Sequence, residues 1–147
     1  MLVLKTIKIV HLCVVLRNGK LPYDNMDNLL SLSREGDMTS SLKGIVDNLS
    51  MTYDGNMLAS VSDSAPAPSV TGSADFRDGV SEAVEYTYDR NGNMTSDLNG
   101  KVSLISYNRQ NRPARMRHAG GTETFTYLPD GTKRGRTVLG KDRSSAG

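Results

Sequence analysis

Along the second half of the chain, apolar and polar side chains alternate with a period of two in short runs separated by turn-forming clusters. In Val84-Glu85-Tyr86-Thr87-Tyr88 this puts Val84, Tyr86 and Tyr88 on one face and Glu85 and Thr87 on the other, the pattern of a half-buried strand. Asp89-Arg90-Asn91-Gly92 follows. An Asp carboxylate accepts a local backbone N–H, and Gly takes φ > 0 freely, as a type I turn closed by a G1 bulge requires. The chain is then expected to reverse into Asn93–Asp97, antiparallel to Val84–Tyr88. Asp97-Leu98-Asn99-Gly100 is a second turn signal, leading to a strand from Val102 to Tyr107. Further turn clusters lie at Asn108–Asn111, Ala119–Gly121 and Leu128–Gly131. On the strand expected from Pro113 to His118, Arg115 and Arg117 share one face and Ala114 and Met116 the other. Leu29–Gly36 fits a strand or a short helix by pattern, and the Tyr-Asp pair ahead of it favours strand.

Aligning the chain on tyrosine shows a repeat. Its units are Leu21–Leu30, Met51–Leu58, Tyr86–Thr95, Ile105–Ala114 and Phe125–Lys133. In the last four, an apolar or aromatic residue stands two before the tyrosine with Ser or Thr between, and a turn cluster follows. Tyr88 and Tyr107 are 19 residues apart, and Tyr107 and Tyr127 are 20 apart. With turn signals about ten residues apart, each period makes one up-and-down hairpin. The repeat signature comprises Tyr23, Asp24, Tyr53, Asp54, Tyr88, Asp89, Gly92, Asn93, Tyr107, Asn108, Tyr127, Asp130 and Gly131, with the tyrosines as a packing ladder and the Asp, Asn and Gly residues as turn makers.

Composition makes that ladder matter more. Hydrophobic residues are 37% of the chain, with no Trp and only two Phe, so the six tyrosines carry much of the packing. Net charge is +2 overall, yet residues 1–100 hold 8 basic and 13 acidic side chains, and residues 101–147 hold 10 and 3. No nucleic-acid-binding motif accompanies the basic part, and its arginines read as the solvated face of exposed strands, where charge discourages edge-to-edge aggregation. From Val61 to Gly79 the alternation lapses into a small, polar, proline-bearing stretch, expected to be a loop or insertion. The apolar start, residues 1–20, is interrupted by Lys5, Lys8 and His11 and lacks an obvious cleavage site. It reads as a hydrophobic strand or an unstructured leader, with no firm membrane association.

Candidate chemistry is sparse. Asp89, Asn91 and Asn93 have the spacing of the first half of an EF-hand loop, but Met94 stands where that loop needs Gly and Gly100 where it needs a bidentate Glu, so the cluster reads as a turn. His11 and Cys13 lack companion ligands, His118 is isolated, and the single cysteine excludes an intrachain disulfide. Glu82 and Glu85 are a carboxylate pair with nothing to assign one as acid and the other as base. Asn48-Leu49-Ser50 and Asn93-Met94-Thr95 fit the glycosylation sequon, a triplet common by chance. The expectation is a protein without a catalytic site, metal or other cofactor.

The motif Tyr-Asp-x-x-Gly-Asn-apolar, clearest at Tyr88-Asp89-Arg90-Asn91-Gly92-Asn93-Met94, resembles the Rhs or YD-repeat family. The resemblance runs from about Leu21 to Leu139 and is strongest from Tyr88 to Thr132. The units at Tyr107 and Tyr127 depart from it, with Asn108 and Leu128 in the Asp position. It implies an all-β fold, an antiparallel hairpin meander of the kind that builds a β-cocoon, here incomplete and with a disordered or irregular N-terminus. The organisation expected is a leader at 1–20, degenerate repeats at 21–60, an irregular loop at 61–79, repeat hairpins at 80–139 and a polar tail at 140–147. By the same resemblance the chain is a shell or scaffold segment, secreted or at the cell surface, whose partners are further repeats and a C-terminal effector. A carbohydrate- or cell-surface-binding module and a gene remnant are the alternatives.

Overall fold

The computed structural model describes residues 13–15, 21–70 and 75–140. These residues contain strands and no helix. The chain divides into two compact units, Met1–Ala83 and Val84–Gly147, each built on one antiparallel sheet.

The first sheet is a four-stranded meander, ordered β1-β2-β3-β4: β1 Cys13–Val15, β2 Ser31–Asp37, β3 Lys43–Asp54 and β4 Met57–Asp63. The leader expected at 1–20 thus supplies a strand at Cys13–Val15, paired with Ser33–Glu35. The rest of that stretch lies outside the described residues. Pairing of Leu32 with Leu49 and of Met51 with Val61 gathers Leu32, Leu49 and Val61 on one face, where all three are buried. Opposite lie Ser50, Thr52, Ser60 and Ser62, with the Thr52 and Ser60 hydroxyls hydrogen-bonded at 2.7 Å. The alternation that marks a half-buried strand therefore orients this sheet.

The stretch from Val61 to Gly79 differs in part from the expected loop. β4 continues through Asp63. Beyond it the chain is tied down by hydrogen bonds, the resource left to a segment of small polar residues: Ser69 donates its N–H to the Met38 carbonyl, Phe76 its N–H to Asp47 at 2.6 Å, and Asp63 its N–H to the Asp78 carboxylate at 2.9 Å.

The second sheet has six strands in sequence order, from β5 at one edge to β10 at the other. They are β5 Tyr86–Tyr88, β6 Met94–Asp97, β7 Val102–Tyr107, β8 Pro113–His118, β9 Gly121–Tyr127 and β10 Lys133–Gly140. The hairpin expected around Asp89–Gly92 is present, but its first strand starts at Tyr86. Val84 is exposed and Glu85 is 2% exposed, the reverse of the burial the alternation predicts. The cause is a tertiary bond: the Glu85 carboxylate accepts from the Asn99 side chain at 2.7 Å, and its carbonyl accepts the Leu98 N–H. On β8, Arg115 and Arg117 are exposed while Ala114 and Met116 are half-buried, as expected. Among the described residues, Ile105 and Tyr86 are the buried large apolar side chains of this unit.

Candidate functional site: the turn edge of the repeats

Four of the five tyrosine units close with the same turn. After Tyr88, the Asp89 Oδ1 accepts the N–H groups of Asn91 and Asn93, both at 2.9 Å, and the Asp89 backbone N–H donates to the Asn93 carbonyl. After Tyr23, Asp24 accepts from Met26 and Asn28 in the same way. After Tyr107, Asn108 accepts from Gln110 and Arg112. An amide oxygen and a carboxylate oxygen serve equally as acceptors here, so Asn108 is a working member of the set. After Tyr127 the backbone bonds are kept, Leu128 to Thr132 and Gly131 to Leu128, but the side-chain acceptor moves to Asp130, which takes the Thr132 N–H.

The fourth residue after each of these tyrosines is left-handed: Asp27 at φ +62°, Gly92 at +76°, Asn111 at +54° and Gly131 at +84°. Asp and Asn tolerate this region through local hydrogen bonding. The two units that lack glycine, after Tyr23 and after Tyr107, therefore keep the turn. Tyr53 differs, because Gly55 (φ +58°) and Asn56 make a two-residue hairpin in which Asp54 pairs with Met57.

The tyrosines join one turn to the next. Tyr53 donates its hydroxyl to the Leu29 carbonyl, Tyr107 to Met94 and Tyr127 to Pro113, each at 2.8 Å. Leu29, Met94 and Pro113 are each the sixth residue after the preceding repeat tyrosine, so one rule holds in both sheets. Partly buried carbonyls at the turn exits need partners, and each such bond contributes about 0.5–1.5 kcal/mol. Side chains one position earlier extend the link. Asn28 donates to the Gly55 carbonyl at 3.2 Å and Asn93 to the Asn111 side chain at 3.2 Å. Arg112 lies over the Tyr127 ring, 5.8 Å from its centroid.

The signature residues thus serve in two sheets. Tyr23, Asp24, Tyr53 and Asp54 belong to the first unit, and Tyr88, Asp89, Gly92, Asn93, Tyr107, Asn108, Tyr127, Asp130 and Gly131 to the second. Tyr23 stands outside the named strands, bridged to Leu29 and 52% exposed. Tyr53, Tyr88, Tyr107 and Tyr127 are half-buried. Hydrogen bonds from Asn93 and from nearby backbone hold the Asp89 carboxyl below its ordinary range, and Asn28 does the same for Asp24.

A second grouping, which pattern reading missed, lies in the first unit. Arg34 on β2 forms a buried ion pair with Asp47 on β3. The other Asp47 oxygen accepts the Phe76 N–H. Asp63 accepts the N–H groups of Asn48 and Ala65, both at 2.9 Å. Oxygens of Asp47, Asp63 and Asp75 lie within 4.8 Å of one another, and burial together with the charges of Asp47 and Asp63 pushes the Asp75 carboxyl up. Three carboxylates at this spacing could hold a divalent cation. Arg34 already brings a positive charge to the cluster, and Asp47 and Asp63 are committed to fixing the chain around them. In the sequence Arg34 and Asp47 occupy strand positions that face the core, but alternation alone does not reveal that they meet.

No family model matches the chain, and neither the curated proteins nor the solved structures contain a match to it.

Proposed function

We propose that the chain is a structural segment of a repeat protein of the Rhs kind, a stiff wall of hairpins that encloses or presents another polypeptide. The observation that supports this is the tyrosine rule: a hydroxyl from one repeat bonded to the carbonyl six residues after the tyrosine of the repeat before it, in both sheets. Such a rule makes each hairpin the template for its neighbour and spends the most characteristic side chains on internal cohesion. Carbohydrate stacking is the weaker reading, since Tyr53, Tyr107 and Tyr127 are half-buried with their hydroxyls engaged. The test is protease protection. A polypeptide carried on the C-terminal side of the repeats should survive a protease that destroys the same polypeptide made without them. Cleavage at equal rates would remove the enclosing role. Retention on a glycan matrix, lost on Tyr23→Ala, would favour the binding module instead.

A further inference from the structure

β8 lies inside the second sheet, paired with β7 on one side and β9 on the other. Its arginines therefore guard no edge, and the protection from edge-to-edge pairing that charge gives an outer strand does not account for them. Arg115 and Arg117 are both exposed, and among the described residues neither takes part in an ion pair. Other cations of the same sheet are matched, Arg136 by Glu123 and Lys133 by the Phe125 ring, 4.1 Å from its centroid. Side chains two residues apart on a strand stand about 6.5 Å from each other along it, and two like charges at that distance repel.

Register defines the surface around them, since residues opposite each other in an antiparallel pair share a face. Arg115 stands between Ser106 and Thr124, with Thr137 beyond, and Arg117 stands between Leu104 and Thr122, with Leu139 beyond. The carboxylates carried by these strands are on the other face, Asp97 opposite Tyr86 and Glu123 opposite Met116. So are the aromatic rings. Phe125 and Tyr127 alternate in phase with Glu123, Tyr88 with Tyr86, and Tyr107 with Ile105, which is opposite Met116. Along the described strands the arginine face is thus cationic and rich in hydroxyls, with no carboxylate on it and no ring to stack on a base.

From these observations we infer that the arginine face of the second sheet docks an extended acidic segment of another polypeptide. An extended segment repeats its side chains on one face every two residues, the period of Arg115 and Arg117, so carboxylates at alternate positions meet both guanidiniums in register. Each guanidinium can hold a carboxylate through two N–H groups. The hydroxyls of Ser106, Thr122 and Thr124 can donate beside them, and Leu104, 38% exposed, offers apolar contact on the flank. Single-stranded nucleic acid suits the face less well, because it binds such surfaces by stacking bases on rings. The choice of a polypeptide as the occupant rests on the proposed role of the chain as a wall for one.

Fluorescence anisotropy of the full chain with a labelled peptide that alternates Glu and Thr tests it, against the same peptide with Gln in place of Glu. The Glu peptide is expected to bind, less tightly as salt rises, and the Gln peptide to bind far more weakly. Arg115→Gln with Arg117→Gln should weaken binding of the Glu peptide about fivefold or more. Arg90→Gln with Arg109→Gln, the same change in net charge at exposed turn positions, should leave it nearly unchanged. If circular dichroism shows the first pair unfolded, Thr124→Glu, which sets a carboxylate opposite Arg115, is read in its place with the same expectation. The inference is overturned if the Glu peptide does not bind, if the Gln peptide binds as well, or if the two arginine pairs lose affinity alike. A single-stranded RNA of equal charge that binds the same arginines more tightly than the peptide also overturns it. Peptide binding is read on the chain alone, so it can fail while protease protection of a carried polypeptide holds, and hold while that protection fails.

Discussion

At the scale of single residues, the left-handed positions are not equivalent, and substitution should rank them. A Cβ at Gly92 meets nothing within 4 Å, so Gly92→Ala bears only the backbone penalty of about 1–2 kcal/mol. At Gly131 the Cβ would fall on the Arg112 guanidinium, a flexible side chain that can yield. At Gly121, where φ is +139°, it would fall on the Leu139 carbonyl, which cannot move without breaking the β9–β10 pairing. Chemical denaturation should give Gly121→Ala as the most damaging, then Gly131→Ala, then Gly92→Ala; equal effects would contradict the close approach at Gly121. The tyrosine bonds make a second residue-scale prediction. Tyr107→Phe and Tyr127→Phe should each cost about 0.5–1.5 kcal/mol, or more where the orphaned carbonyl stays dry. Carbonyl infrared shifts at isotope-labelled Met94 and Pro113 would check that the acceptors are the ones named.

Each hairpin is the smallest element that carries the turn chemistry, and its pH response has a definite sign. The folded turn favours ionised Asp89, because Asn93 and backbone N–H groups bond to the carboxylate. Its contribution is therefore present above the unfolded Asp value, about pH 4, and is lost as pH falls through the lower folded value. Asn91 and Asn93 amides should lose hydrogen-exchange protection on acidification, while the corresponding turn at Asn108, which does not titrate, should keep it longer. The opposite end of the scale belongs to Tyr86. Burial pushes its phenol up to about 12, so the fold favours the neutral form. That contribution is full below the unfolded phenol value, about pH 10, and is lost as pH rises through the folded one. A phenolate absorbance titration should show a tyrosine that ionises well above the unfolded phenol value, at about 12, and Tyr86→Phe should remove that step. These responses were largely legible in the sequence for Asp89, whose neighbours in the turn are its neighbours in the chain. They were not legible for Tyr86, because its burial depends on residues distant in sequence.

Across the whole molecule, the sheet of β1–β4 combines an apolar cluster with the Arg34–Asp47 ion pair. Removing one member of a buried pair strands the other charge, so Asp47→Ala should destabilise that sheet by about 3–5 kcal/mol, with the Phe76 N–H also losing its acceptor. Replacing both, Arg34→Met with Asp47→Leu, should recover much of the loss. Thermal unfolding of the single and double variants measures the difference, and a double variant no better than the single would show that the pair does more than satisfy itself. The sequence by itself determined the strands and turns of the second sheet, and Val102–Tyr107 and Pro113–His118 fell where alternation placed them. It could do so because period-two burial and left-handed turn positions are properties of consecutive residues. Only the tertiary structure decided the rest: that Glu85 is buried and Val84 exposed, that Asn111 and Asp27 stand in for glycine, that Arg34 meets Asp47, and that Phe76 and Asp78 are fastened to the sheet. Each of those depends on a hydrogen bond or ion pair closing across a gap in the chain, or on a turn whose backbone sets the demand and leaves the residue to meet it, and such pairings leave no period in the sequence.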